Sequence, residues 1–307
     1  MNKLFFLIAV FGIVCYSCTK EKTDYESEVG TGITDNSVFK EAYSSTIDEY
    51  RVTIYSLNGE LFNGFNDLQL KISTIKTNKA VQATAVTFLP IFSDTDGIKT
   101  CPHSYNLSYN SLDDYYSAYA VFNQVAQTAG SWKLYISFTV DNKIFHVVQD
   151  ISVGEQLNKN LNFVSFKALD DQVYLIALKS PIKPQVGENK IFAGIYKYTK
   201  SNNSPIETNG GSPDFIYTPV EGYTLKLDPR MPEPSMGNHT SPNNRDLIQQ
   251  EDGFYHGIVN YTMSGDWTLN LILINPQGRI LKGTVVPSDF TPGVEGVKSE
   301  LYLDILF

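Results

Sequence analysis

Cysteine is scarce in this chain: Cys15, Cys18 and Cys101 are the only three among 307 residues. A disulfide framework cannot organise the fold, because Cys101 has no intramolecular partner once an N-terminal leader is removed. It is expected to be a small buried hydrophobe. Positive charge is also in deficit, with 24 Lys and Arg against 33 Asp and Glu and a formal charge of −9. Phosphate-backbone recognition needs clustered cations, so nucleic acid is not an expected partner. The chain contains no HExxH, no GxSxG, no GxxxxGK[S/T] and no CxxC, and a non-catalytic protein is expected. Asp94-Thr-Asp96-Gly97 begins like a calcium loop, but Tyr105 stands where the bidentate glutamate belongs, so it reads as a turn. No stretch carries a convincing 3.6-residue apolar stripe, which removes the helical classes.

Long apolar runs are confined to one place. Leu4 to Val14 (LFFLIAVFGIV) follows Lys3 and is too short to span a bilayer as a stable helix, so it reads as a secretory leader. Tyr16-Ser17-Cys18 resembles the end of a bacterial lipoprotein signal, with a small residue before the cysteine; Cys15, preceded by Val14, is the weaker candidate. The resemblance implies removal of residues 1–17 and acylation of Cys18. Several acyl chains at about 0.8 kcal/mol per buried methylene anchor a protein without a transmembrane helix. The expected location is the bacterial cell envelope, anchored to the membrane through lipid. The outer membrane is favoured, with the protein facing the periplasm or the exterior. Residues 18–46 are polar and rich in Ser, Thr and Gly, and are expected to form a flexible tether.

From Tyr50 the texture changes to short, often alternating runs rich in Val, Ile, Tyr, Phe and Thr, cut by Asn, Gly and Pro. Tyr50 to Leu57, Tyr115 to Phe122, Trp132 to Val140 and Trp267 to Ile274 are examples. This predicts an all-β chain of antiparallel sandwiches. The two halves read as copies of one unit. Gly64-Phe-Asn66 matches Gly187-Glu-Asn189, and Pro90, Cys101-Pro102 and Tyr116 match Pro229, Ser241-Pro242 and Tyr255. Gly130-Ser-Trp132-Lys-Leu134 matches Gly265-Asp-Trp267-Thr-Leu269. Each tryptophan is expected to plug a sandwich core. The expected domains are 47–155 and 161–307, joined through Gly154 to Asn160. Thr199 to Asp214 is expected to be a solvent-exposed loop inserted in the second copy, and Val125 to Thr128 lengthens the first. The apolar end, Leu301 to Phe307, needs a partner to cover it.

Methionine is as rare as cysteine and far less scattered. Apart from Met1, the methionines are Met231, Met236 and Met263, in one segment with His239. Thioether sulfur and imidazole nitrogen favour Cu(I) among common biological metals, and thioethers do not form disulfides outside the cell. The alternative is that these methionines fill gaps in a core.

Pro229, Met231, Met236, His239, Ser241-Pro242, Tyr255 and Gly265-Asp-Trp267 together resemble the YtkA-like family, also called FixH-like, over roughly residues 170 to 285. The resemblance implies small immunoglobulin-like β-sandwich domains of bacterial envelopes associated with copper handling. It implies Met231, Met236, His239 and Met263 as the metal-ligand set and Cu(I) as the bound ion. The first copy keeps only the skeleton: Phe92 stands at the Met231 position, Lys99 at the His239 position, and Asn123 precedes no methionine. An ammonium has no free lone pair, so no copper site is expected there. His103, near Lys99, is expected to be solvated. Two functional classes remain open: an anchored copper-binding envelope protein, and a metal-free surface or periplasmic interaction module with an envelope protein as partner.

Overall fold

The computed structural model describes residues 38–125, 130–156, 160–200 and 215–307. The leader, Cys15, Cys18, the tether as far as residue 37, and residues 126–128 and 201–214 of the two insertions lie outside the described residues. Within them the regular structure is strand, and no helix is long and apolar enough to cross a membrane.

The first sandwich is built from β1 (Phe39–Ile47), β2 (Tyr50–Leu57), β3 (Gly64–Thr74), β4 (Thr84–Asp94), β5 (Gly97–Thr100), β6 (Ser108–Asn110), β7 (Tyr115–Phe122), β8 (Gly130–Val140) and β9 (Lys143–Ile151). The second comprises β10 (Phe163–Lys167), β11 (Val173–Ser180), β12 (Gly187–Lys200), β13 (Phe215–Pro219), β14 (Thr224–Met231), β15 (His239–Thr240), β16 (Arg245–Gln249), β17 (Tyr255–Tyr261), β18 (Asp266–Ile274), β19 (Ile280–Lys282) and β20 (Tyr302–Leu306). One layer of the first sandwich has the order β1-β2-β3-β7-β6 and the other β5-β4-β8-β9. Apart from the added edge strands β1 and β5, this is the Greek-key order of an immunoglobulin-like sandwich, four strands facing a C–F–G layer. The second sandwich repeats it as β10-β11-β12-β17-β16 against β14-β18, but β16 bonds to both β17 and β14 and joins the two layers at that edge.

Period-two alternation drives each strand. In β3 the inward Leu68, Leu70 and Ile72 are buried while Asp67, Gln69 and Lys71 between them are half-buried. Strand β1 corrects the tether boundary: residues 39–46 are paired with β2 rather than free. Its sequence, FKEAYSSTI, is an edge strand buried on neither face, so it lacks the alternation that marks the others.

The copies agree in detail. Asn66 donates to the carbonyls of Phe62 and Gly64 while its side-chain oxygen accepts from Phe62 N–H. Asn189 makes the same three bonds with Gln185 and Gly187. Gly64 and Gly187 both sit at positive φ, 91° and 107°, which explains why glycine precedes the pair. The hydroxyls of Tyr116 and Tyr255 donate to the carbonyls of Ala83 and Val220. Burial pushes each phenol up to about 12, so both remain neutral donors. Trp132 and Trp267 are each wholly buried.

The sandwiches meet through a small apolar cluster: Phe65 and Val121 from the first, Leu175, Ala177 and Tyr196 from the second. Tyr119 stacks on Phe65 at 5.2 Å and meets Phe254 edge-on at 5.6 Å. Lys179 of β11 pairs with Asp67 of β3, and its ammonium lies 4.6 Å and 5.0 Å from the Phe65 and Phe254 ring centres. Gln156 closes the junction by donating to the carbonyls of Asn63 and Leu161.

Candidate functional site

The segment from Met231 to His239 leaves β14 and returns as the two-residue strand β15. Pro232 and Pro234 deny it donors for a sheet, and two successive turns form instead, Met236 N–H bonding Glu233 and His239 N–H bonding Met236. Gly237 and Asn238 both take positive φ, 61° and 55°. A Cβ on Gly237 would also stand 3.2 Å from the Phe290 ring, a tight contact that adds to the preference for glycine there. The return sets His239 directly opposite Met231 in register. Facing residues of an antiparallel pair project to the same side.

Arg230 faces Thr268 across the β14–β18 ladder, so the next step in register brings Met231 to Trp267. Trp267 in turn faces Ile305 of β20. One row therefore crosses the sheet, His239, Met231, Trp267, Ile305. The first sandwich has the corresponding row Lys99, Phe92, Trp132, Ile151, each neighbour in register. The apolar C-terminal end thus finds its cover as the strand beside Trp267.

Met231 is 1% exposed and belongs to the core. Met236 and Met263 are half-buried against the same core. The indole N–H of Trp267 donates to the Met263 carbonyl at 3.0 Å, and the His239 ring meets the indole edge-on at 6.2 Å. His239 thus meets the indole itself, and Met231, Met236 and Met263 belong to or pack on the core that contains it. His239 is half-buried, and its Nε2 lies 2.8 Å from the Thr262 hydroxyl. Among the described residues no group of three or more His, Cys, Asp or Glu stands ready to hold a metal ion. A site here must draw on thioether sulfur.

The C-terminal segment 286–296 was not foreseen as part of this region. Arg230 donates to the carbonyls of Val286 and Pro287, Asn238 donates to Pro287, and Gly296 N–H donates to Pro232 at 2.6 Å. These bonds tie the loop down from outside. On the 286–296 side every one of them uses a main-chain carbonyl or N–H, which leaves no pattern in a sequence.

The matching end of the first sandwich has different chemistry. Lys99 hydrogen-bonds Asp94 at 2.7 Å, which holds the ammonium above and the carboxyl below its ordinary range. Phe92 packs on Trp132 at 5.1 Å. Cys101 is fully buried, and burial pushes its thiol far up, so it is an inert hydrophobe. His103 is not solvated as expected: its Nδ1 donates to the Cys101 carbonyl at 2.7 Å, and burial lowers its pKa to about 4.

No protein-family model and no curated protein matches the chain. Among solved structures, a chimeric titin Z1Z2-Z1Z2 tandem functionalized with a GRGDS exogenous peptide from fibronectin aligns at 14% identity. The match covers 71% of this chain and 88% of that one with a TM-score of 0.16, too low to carry weight beside the strand order itself.

Proposed function

We propose that this is a lipid-anchored envelope protein whose second sandwich binds Cu(I) at the end capped by Met231 to His239. The observation that supports this reading is that Met231 faces His239 in register, that the His239 ring meets Trp267, and that Met231, Met236 and Met263 belong to or pack on the core that contains this indole. The donor set fits a soft monovalent cation. Met236, Met263 and His239 would form the accessible part and Met231 the inner part. The metal would supply soft Lewis acidity for holding and transfer. The chain's own residues orient the donors: Thr262 fixes the His239 ring, and the 286–296 segment fixes the loop. The first sandwich would serve as a structural partner, since Lys99 is already paired with Asp94.

The test is competition for Cu(I) against a chromophoric chelator such as bicinchoninate. About one equivalent should transfer to the protein, and His239→Ala and Met236→Leu should each weaken retention by about tenfold or more. Absence of uptake, or uptake unchanged in both variants, would support the metal-free interaction module, a reading that the burial of Met231 in the core favours. The anchor is tested separately. Cys18→Ala should release a folded protein from membranes, and retention through salt and carbonate washes would show another attachment.

A further inference from the structure

The outward face of the β1-β2-β3-β7 layer is divided. Along β3 the outward side chains are Phe65, Asp67, Gln69 and Lys71; the first two are taken up by the second sandwich, through Phe254 and Lys179, with Tyr119 of β7 stacked on Phe65 beside them. The other two open into a shallow trough of about 450 Å³ lined by Phe39, Tyr55, Gln69, Lys71, Asp113 and Tyr115. Tyr55 and Gln69 face each other in register, and Tyr115 lies two residues from Ser117, which faces Gln69 on its other side. Sequence patterning does not mark this trough, because its members are drawn from four different strands and the turn before β7.

The lining is unusual for an outward sheet face. Phe39, Tyr55 and Tyr115 are half-buried rather than covered, which leaves three aromatic rings around one depression. The side chains of Gln69 and Lys71 have no hydrogen-bond or ion-pair partner among the described residues. Asp113 is set by a tight turn, accepting from the Asn110 amide at 3.1 Å, and still offers its carboxylate to the trough. The depression lies within the roughly 300–1,000 Å³ range of small-ligand sites, but it is open and polar rather than deep and apolar. A lipid or apolar ligand would find too little cover. A polyanion or polycation would find one ammonium balanced by one carboxylate.

We propose that this trough binds a neutral oligosaccharide. The apolar C–H face of a pyranose stacks on aromatic rings, and its hydroxyls both donate and accept. The amide of Gln69 does both, the ammonium of Lys71 donates, and the carboxylate of Asp113 accepts, which matches a ring of hydroxyls without net charge. The open ends suit a chain longer than the trough. The proposal does not depend on copper binding.

The experiment is native gel electrophoresis of the full-length protein in a sugar-free detergent, through gels containing amylopectin, xylan, laminarin, galactomannan or polygalacturonate. At least one neutral polysaccharide should retard the protein. Tyr55→Ala and Tyr115→Ala should each weaken that binding by about tenfold or more, and Gln69→Ala should weaken it measurably. Tyr55→Phe, which keeps the ring, should retain most of it, and Val148→Ala on the opposite sheet should change nothing. Circular dichroism checks that each variant is folded. Two outcomes overturn the proposal: no retardation in any neutral gel, or retardation unaffected by both tyrosine changes. Retardation by polygalacturonate alone, abolished by Lys71→Gln, would also overturn it by showing an anion site.

Discussion

Removing the Trp267 side chain tests both the repeat and the organisation of the candidate site. The indole is fully buried. Its ring meets Tyr261 at 5.3 Å and His239 at 6.2 Å, and its N–H donates to the Met263 carbonyl. Ile305 of the C-terminal strand lies across from it, itself wholly buried. Truncation to alanine removes the transfer energy of the ring, leaves a cavity at a point where three strands meet, and frees a carbonyl. Buried Trp→Ala changes cost about 3–5 kcal/mol. For a sandwich of this size that corresponds to a melting temperature lower by roughly 10–15 °C. Differential scanning calorimetry and urea denaturation followed by far-ultraviolet circular dichroism would read the change. Trp132→Ala should behave alike in the first sandwich, because that indole is equally buried and donates to the Gln124 carbonyl at 2.9 Å. A midpoint unchanged in either variant would refute the claim that the two tryptophans hold equivalent core positions.

The remaining predictions concern charge and the junction. His103 has a folded pKa of about 4 against 6.5 for the free side chain. The unfolded chain therefore takes up a proton between those values that the folded chain refuses, and stability falls as pH drops from about 6.5 to about 4, by roughly 2–3 kcal/mol. Urea midpoints at pH 7 and pH 4 should differ less in His103→Gln than in the natural sequence by that amount; an equal drop would place the effect elsewhere. At the junction, Lys179→Ala removes a partly screened ion pair and two ring contacts, worth about 1–2 kcal/mol together. Combined with Phe254→Ala it should split a single calorimetric transition into two. A double variant that melts as one unit at the original temperature would show that the sandwiches are coupled by other contacts.

Much of the fold was legible because antiparallel sandwiches write their cores in alternation. Tyr50 to Leu57 and Tyr115 to Phe122 are strands over the same residues that the pattern marked. The pairing of Phe92 with Met231, and of Lys99 with His239, also survives: each pair occupies one register position in its own copy. What was not legible follows a physical rule. Strand β1 is held by main-chain bonds at an edge, with little burial to select apolar residues. The 286–296 segment holds the candidate loop through carbonyls and a glycine N–H, which any residue can supply. His103 reads as a surface imidazole in sequence, but its environment is made by Tyr105 and by a carbonyl.

The two copies also show why one sandwich can diverge in chemistry without losing its fold. Inward positions are constrained by the partner layer: Trp132 and Trp267, Leu134 and Leu269, Tyr116 and Tyr255 are all buried, and a change at any of them is felt in packing. The position at the end of the row is different. Lys99 and His239 both sit on short strands at the rim, half-buried, with one side open. There the cost of exchanging an ammonium for an imidazole is set by the local partner alone. Asp94 satisfies the lysine by an ion pair, and Thr262 satisfies the histidine by a hydroxyl. The neighbour one step inward then decides what the rim can do. Phe92 offers the Lys99 end a ring, whereas Met231 offers the His239 end a thioether with free lone pairs. Exchanges at these two register positions, with Met236 and Met263 added beside them, distinguish the soft-donor end of the second copy from the ion-paired end of the first while the tryptophan row is kept.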